Sequence, residues 1–364
     1  MTVSESVLRE ALTTVRDPLT GQDFLSTHQL KWSTPAPGQL AVRLSLGYPA
    51  RSLWPALSQA VADAVRGVDP ALQVSTDISL QVVPHAVQRG VQLLPGVKNI
   101  VAVASGKGGV GKSTTAVNLA LALAAEGAQV GLLDADIYGP SQPWMMGLSG
   151  QRPESADGQT MEPLENHGVQ VMSIGFLVEA DNPMIWRGPM ATQALDQLLR
   201  QTRWRELDYL IVDMPPGTGD IQLTLSQRVP LTGAVIVTTP QDIALLDARK
   251  GLKMFQKVSV PILGIVENMA VYACPNCGHT EHIFGAEGGQ KMAEQYEVDY
   301  LGGLPLALSI REQADGGRPT VVSEPDGVIA AQYKTIARRM AAKIAQSSKD
   351  YSAKFPTITI SSTT

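Results

Sequence analysis

Residues 106–114 constrain the fold and function of this chain more than any other segment. They read Gly-Lys-Gly-Gly-Val-Gly-Lys-Ser-Thr, which satisfies the phosphate-loop pattern G-x-x-x-x-G-K-[ST]. Glycines let successive backbone N–H groups turn inward around a phosphate, and a lysine adds positive charge beside it. An apolar strand precedes the loop and helical spacing follows it. We therefore expect a nucleotide site, whose candidate residues are Gly106, Lys107, Gly108, Gly109, Val110, Gly111, Lys112, Ser113 and Thr114.

The rhythm of apolar segments predicts an α/β fold with a doubly wound, mostly parallel sheet. Apolar strands recur near residues 128–134, 169–174, 207–213, 233–239 and 260–266, with helical patterns between them. We assign residues 98–346 to this P-loop NTPase domain. Helical and strand patterns at 5–15, 40–46, 53–65 and 72–82 indicate a small α+β domain over residues 1–85. Residues 86–97 are predicted as a linker, and residues 347–364 as a flexible polar tail.

Two predicted strands end in carboxylates where phosphate chemistry needs them. Asp134 and Asp136 follow one strand and Asp213 ends another, so both strands direct acidic groups toward the loop. We expect Asp213 to bind Mg²⁺ together with Ser113, and Asp134 to support the metal or the loop. Asp136 is the candidate for orienting the attacking water. Lys112 would neutralise the terminal phosphates, and Gly217 could offer its N–H to the γ-phosphate.

The only two cysteines, Cys274 and Cys277, form a C-x-x-C turn that presents two thiolates to one metal. Zinc or an iron–sulfur cluster usually needs four ligands, which two copies of this turn would supply across a symmetric dimer. A local zinc site with His279 and His282 and a redox pair are the alternatives. Two close cysteines fit a reducing cytoplasm better than a disulfide scaffold.

Charge and hydropathy argue against other classes of partner. A formal net charge of −5 disfavours a general nucleic-acid-binding role. The first residues lack the basic and apolar stretches of an export signal, and no uncharged apolar run is long enough to span a bilayer. A helix predicted at 327–346 carries many alanines on its apolar side, so we expect it to pack on the domain rather than enter a membrane.

Lys107, near the start of the loop, resembles the signature lysine of the deviant Walker A ATPases, which include the MinD, ParA, ArsA and nitrogenase iron proteins. This resemblance implies that the side chain crosses a face-to-face homodimer to the nucleotide of the other subunit. A cation supplied in this way would act like an arginine finger. A solvated lysine without such a role is the alternative.

Further segments together resemble the Mrp/ApbC family of ATP-dependent iron–sulfur cluster carriers. They are residues 134–141, 187–190, 213–220 and 266–269 and the C-x-x-C turn. The resemblance implies that a homodimer holds a [4Fe–4S] cluster between Cys274 and Cys277 of each copy. An assembly scaffold would supply the cluster and apo-proteins would receive it. Asn268 and the segment around Pro305 resemble the parts of the family that contact adenine, so ATP and Mg²⁺ are the expected cofactors.

The N-terminal region resembles the small iron–sulfur assembly domains of the SufT/PaaD type. Residues 46–50 read Leu-Gly-Tyr-Pro-Ala where some members carry a cysteine, which excludes thiol chemistry there. The resulting hypothesis is a cytoplasmic ATP-hydrolysing carrier that acts without nucleic acid or membrane. The alternative is a MinD/ParA-like positioning ATPase, which leaves the two cysteines unexplained.

Overall fold

The computed structural model describes residues 4–177 and 188–350, which form two β-sheets flanked by helices. The strands within these ranges are β1 (Leu30–Ser33), β2 (Gln39–Leu46), β3 (Gln73–Leu80), β4 (Val97–Ala104), β5 (Val130–Asp134), β6 (Leu164–Asn166), β7 (Val169–Ser173), β8 (Leu207–Asp213), β9 (Gly233–Thr238), β10 (Ile262–Ala273), β11 (Thr280–Glu281) and β12 (Tyr300–Leu306). The α-helices are α1 (Glu5–Thr13), α2 (Trp54–Arg66), α3 (Lys112–Ala125), α4 (Gln142–Met145), α5 (Gly188–Gln201), α6 (Asp220–Arg228), α7 (Asp242–Lys257), α8 (Gly288–Gln295), α9 (Leu308–Asp315), α10 (Thr320–Ser323) and α11 (Val328–Ala345).

The small N-terminal sheet has the order β1-β2-β3. Strand β2 pairs antiparallel with β1 and parallel with β3. Along β2 every second side chain is buried, which is the pattern of a sheet with one covered face. Helices α1 and α2 bury their own apolar faces, so this region is the α+β unit that the sequence predicts.

The large sheet has the order β11-β10-β9-β4-β8-β5-β7-β6, and β12 also pairs with β10. All of its pairs are parallel except those of β6 with β7 and β11 with β10. Strands β5, β8 and β9 are buried along their whole length, as expected for a sheet covered by helices on both faces. The α/β prediction is confirmed, and β4, β8 and β5 direct their carboxyl ends toward one edge.

Five of the described strands differ from the sequence prediction. The prediction missed β1, β6, β11 and β12, since the first three have at most four residues and β12 contains two glycines and a proline. Strand β10 continues to Ala273, well beyond the apolar segment predicted at 260–266.

The end of the predicted small domain and the first residue of the predicted linker contact the predicted tail. His85 forms an antiparallel bridge with Lys349, and the Ala86 N–H donates to the Ser348 carbonyl at 2.9 Å. The Asp350 N–H donates in turn to the Pro84 carbonyl at 3.1 Å. Residues 351–364 of the predicted tail lie outside the described residues, and the domain boundaries stay a prediction.

Helix α11 packs on the large domain, as expected. Tyr333, Ile336, Met340 and Ile344 on its apolar side are all buried. Within residues 4–177 and 188–350, no helix is both long and apolar enough to cross a bilayer.

Ser52 of the N-terminal region contacts a buried ion pair of the large domain. Glu126, directly after α3, is 1% exposed, and its carboxylate accepts hydrogen bonds from the Ser52 N–H at 2.8 Å and the Ser52 hydroxyl at 2.6 Å. The Arg338 guanidinium of α11 lies 2.7 Å from the same carboxylate. Because a buried charge requires partners, these three residues fix the two regions against each other.

Candidate functional site

The phosphate loop connects β4 to α3 and leaves no room for side chains at two of its glycines. A Cβ on Gly106 would overlap the Asp247 carbonyl of α7. Gly111 has a φ of +81°, and a Cβ there would overlap the side-chain amide of Asn268. The loop backbone is therefore held between α7 and β10, with its glycines where the phosphate-loop pattern places them.

Changing Gly106 to Ala should distort the loop because the neighbouring atom is backbone and cannot move aside. We expect a loss of about 1–3 kcal/mol in the free energy of unfolding, as is typical of overpacking, together with weaker nucleotide binding. Gly108→Ala is the matched control, since its Cβ would lie 4.0 Å from the nearest atom, in Pro216. Urea denaturation and nucleotide titration of both variants check this, and equal losses would contradict the steric explanation.

Lys112 lies at the centre of a buried polar cluster. Its side chain is 6% exposed, and its ammonium is 2.5 Å from Asp213, which is 0% exposed, and 3.0 Å from the Ser113 hydroxyl. The ammonium thus contacts both oxygens predicted to bind Mg²⁺. A carboxylate and a hydroxyl are hard oxygen ligands of the kind that Mg²⁺ prefers, so the donor set fits this ion, and its binding stays a prediction.

Gln142 is a member of this cluster that the sequence analysis missed. Its amide nitrogen donates to the second oxygen of Asp213 at 2.8 Å and to the Ser113 carbonyl at 3.1 Å. Both partners are acceptors, so the amide nitrogen must face them. Gln142 therefore holds the Asp213 carboxylate in place beside Lys112. No sequence pattern marks this role, because Gln142 and its two partners come from three separate elements, α4, α3 and β8.

Asp134 organises the segment that follows β5. One of its oxygens accepts the Asp136 N–H at 3.1 Å. The other accepts the N–H groups of Ser141 and Gln142, each at 3.0 Å, and the Ser173 hydroxyl at 3.1 Å. Burial raises the pKa of Asp134 to about 7. These contacts support the loop role in the prediction, whereas the magnesium role stays a prediction.

Asp136 is half-buried, and its pKa is raised chiefly by burial, with the charge of Lys112 opposing the shift. It lies near the loop, in keeping with its predicted role in orienting water. Lys107 is exposed, and its carbonyl accepts the Ser105 hydroxyl at 2.8 Å. The roles of Asp136 in catalysis and of Lys107 across a dimer stay predictions.

Gly217 differs from the expectation in one respect. Its N–H donates to the Ser105 carbonyl at 2.9 Å, so a contact with a γ-phosphate would require this bond to be exchanged. Of the remaining loop residues, Gly108 and Gly109 lie in the turn before α3, and Thr114 lies in the first turn of α3.

The two residues predicted near adenine lie on neighbouring strands. Asn268 of β10 is buried, and its amide nitrogen donates to the Val110 carbonyl of the phosphate loop at 2.9 Å. Pro305 of β12 is half-buried and stands opposite Val271 of β10. Asn268 therefore contacts the loop itself, and its contact with a base stays a prediction.

The cysteines lie on the hairpin between β10 and β11. The Cys274 N–H donates to the His279 carbonyl and the Gly278 N–H donates to the Cys274 carbonyl, both at 2.9 Å. The backbone N–H groups of Asn276 and Cys277, together with the Cys277 thiol, hold the pKa of Cys274 below its usual value. Cys274 is half-buried and Cys277 is exposed, so this turn presents both sulfurs at the surface.

No group of three or more His, Cys, Asp or Glu side chains that could hold a metal ion occurs in the described part of the chain. In the hairpin, one ring nitrogen of His282 is engaged by the backbone, since it donates to the Ala270 carbonyl at 2.7 Å. The described residues thus offer the two cysteine ligands without the local zinc set that C-x-x-C-x-H-x-x-H spacing could suggest. Arg187 of the segment 187–190 lies outside the described residues.

Comparison with known proteins agrees with this geometry. A family model described as the NUBPL iron-transfer P-loop NTPase, of the ParA type, matches residues 96–341. A second, described as an iron–sulfur cluster assembly protein, matches residues 5–76. An iron–sulfur cluster carrier protein of Haemophilus influenzae is 49% identical over 340 residues, which cover 93% of this chain and 92% of that protein. The iron–sulfur cluster transfer protein NUBPL of mouse is 56% identical over 256 residues, which cover 70% of this chain and 80% of that one.

Two solved structures resemble the fold of this chain. A nucleotide-binding protein of Archaeoglobus fulgidus in complex with ADP is 37% identical, with a TM-score of 0.56, covering 64% of this chain and 90% of that one. The cell division ATPase MinD of Pyrococcus furiosus, at 22% identity and a TM-score of 0.52, covers 67% of this chain and 98% of that one and shares the fold. The chain belongs to the family of NUBPL-type iron-transfer P-loop NTPases and carries an N-terminal iron–sulfur assembly domain.

Proposed function

We propose that this protein is an ATP-hydrolysing carrier of iron–sulfur clusters. Two copies would hold one [4Fe–4S] cluster between their Cys274 and Cys277 pairs, receive it from an assembly scaffold and pass it to apo-proteins in the cytoplasm. The observation that carries this proposal is the exposed two-thiol hairpin on the strand that also contacts the phosphate loop. The names of the curated relatives support the same cargo.

The dimer part of the proposal rests on ligand number. One chain supplies two thiols, and four are the usual set for a [4Fe–4S] cluster. A twofold axis beside the hairpin would bring together two identical pairs. An exposed Lys107 is free to reach the nucleotide of the second copy, which would make the same dimer the active form of the ATPase.

The nucleotide part rests on the cluster around the loop. ATP would be bound by the loop N–H groups and Lys112, with Ser113 and Asp213 as the residues that would hold Mg²⁺. Bound Mg²⁺ supplies positive charge that neutralises the phosphate oxygens. Asp136 would orient the attacking water, and the Gln142 amide would hold the Asp213 carboxylate in place.

The direct test is anaerobic reconstitution of the wild-type protein with iron and sulfide. We expect a coloured dimer that holds about two irons and two sulfides per monomer and passes its cluster to an apo-enzyme that requires [4Fe–4S]. Iron and sulfide analysis, the visible spectrum and the mass in solution are measured on one sample. A colourless protein that binds ATP, with about one zinc or no metal, would overturn the proposal. It would favour an ATPase with a structural zinc site or a positioning ATPase.

A further inference from the structure

Strand β10 has two halves that differ in burial and pairing. Its inner half, as far as Glu267, is paired with β9 on one side and β12 on the other and is almost entirely buried. Beyond Asn268 the strand becomes half-buried, its pairing with β9 has ended, and it leads into the cysteine hairpin. The two halves can therefore respond differently to a change in the nucleotide site.

A bulge separates these halves. Residues 268–270 of β10 stand opposite the single residue Leu304 of β12, because the register shifts between Glu267 and Val271. Met269 at its centre has a φ of +57°, a conformation that is uncommon for a side chain other than glycine, asparagine or aspartate. Such strained positions persist only where the surrounding structure determines them, and they cluster at functional sites.

The first residue of the bulge contacts the phosphate loop. Asn268 is 8% exposed and donates its amide hydrogen to the Val110 carbonyl at 2.9 Å. Its amide also lies against the Cα of Gly111, where a Cβ would not fit. A shift of the loop on phosphate binding must therefore move this side chain or break its hydrogen bond.

The last residue of the bulge contacts the cysteine hairpin. The Ala270 carbonyl accepts the hydrogen of the His282 ring at 2.7 Å. The hairpin itself is tied by the pairs Tyr272 with Glu281 and Ala273 with Thr280. Since these contacts make the hairpin one unit, a displacement at Ala270 changes the position of both thiols.

We propose that the bulge of Asn268, Met269 and Ala270 is the joint through which the state of the phosphate loop sets the position of the two thiols. This inference rests on the proposed function, in which those thiols hold the cargo. A ligand can shift a conformation only by contacts that differ between two states. The Asn268–Val110 hydrogen bond is that contact here, and Asn268 and Met269 are positioning residues rather than catalytic ones.

The test measures thiol reactivity in the full-length, reduced, cluster-free protein under anaerobic conditions. Alkylation of Cys274 and Cys277 by iodoacetamide is followed by mass spectrometry without nucleotide, with Mg²⁺–ADP and with a non-hydrolysable Mg²⁺–ATP analogue. Nucleotide is present at saturation, as determined by titration of each variant. In the wild type we expect the alkylation rate to differ about fivefold between the free and the ATP-analogue states, at the low end of allosteric coupling.

Two variants should remove this difference when each is saturated with nucleotide, whatever its affinity. Asn268→Ala deletes the contact with the loop, and Met269→Gly opens other conformations at the bulge because glycine tolerates both signs of φ. Glu297→Gly is the matched control: it changes a second residue of positive φ, +54°, which is exposed on the turn after α8, and it should keep the wild-type response. Circular dichroism and thermal melting verify that all three variants fold.

Each outcome bears on a separate claim. Unchanged thiol rates in a wild-type protein that binds nucleotide would overturn the joint, and so would an equal loss of response in Glu297→Gly and Met269→Gly. If the thiols respond to nucleotide but reconstitution yields no cluster, the proposed function fails while the joint stands. If the cluster forms but the thiols do not respond, the joint fails alone.

Discussion

Changing Lys112 to Ala is expected to abolish ATP binding and to destabilise the nucleotide-free protein by about 3–5 kcal/mol, the usual cost of breaking a buried ion pair. The first effect follows from loss of the charge that faces the phosphates. The second follows from the position of Lys112, since its ammonium is 2.5 Å from an Asp213 carboxylate that is 0% exposed. Without Lys112 that carboxylate keeps only the Gln142 amide as a side-chain partner among the described residues.

A double-mutant cycle separates these effects. Asp213→Asn alone should also destabilise, because it leaves the ammonium buried without its partner charge. Lys112→Met combined with Asp213→Asn should be less destabilised than the sum of Lys112→Met alone and Asp213→Asn alone, because neither charge remains. Nucleotide titration and urea denaturation are the measurements. Unchanged ATP affinity in Lys112→Ala would refute the loop assignment, and strictly additive losses of stability would show that the pair is not coupled.

Changing Cys274 to Ala should eliminate cluster binding and leave the fold intact. The hairpin is held by backbone hydrogen bonds at Cys274 and Gly278, which do not need the sulfur. In the proposed dimer the thiol is a ligand, so loss of one sulfur per copy would remove two of the four that a bridging cluster requires. Iron and sulfide after anaerobic reconstitution measure the loss, and circular dichroism and ATP titration should match the wild type.

His279→Ala is the matched control in the same hairpin. It removes a side chain that a local zinc site would use but that a cluster held by four cysteines would not. Normal iron and sulfide in His279→Ala, with none in Cys274→Ala, is the expected pair of results. Stoichiometric cluster in Cys274→Ala would exclude the hairpin as the binding site, and loss in both variants would point to a local site with mixed ligands.

The phosphate loop and the central strands could be predicted because they depend on local patterns. Glycines at fixed spacing and fully apolar strands carry their meaning in adjacent residues, and the structure places Asp134 and Asp213 side by side at the ends of paired strands. The lysine at position 112 was expected to face phosphate, and its contact with Asp213 follows from the same convergence.

What the sequence could not reveal depends on contacts between distant segments. Gln142 joins Asp213 and Ser113, although none of the three is close to the others in the chain. The bulge at Met269 has no sequence signal, because a methionine gives no hint of a positive φ. The strand predicted to end near residue 266 continues past this bulge to Ala273 and leads into the cysteine hairpin.

The link between Glu126, Ser52 and Arg338 has a consequence for how this protein can be recombined with its relatives. Glu126 follows the helix that begins at the phosphate loop, and a carboxylate at that end is opposed by the helix dipole. Its burial is tolerated because the Ser52 hydroxyl of the N-terminal region and the Arg338 guanidinium of the large domain both reach it. A chimera that takes its N-terminal region from another species keeps Glu126 and Arg338 but replaces Ser52, so the incoming residue at this position must also donate hydrogen bonds to the Glu126 carboxylate.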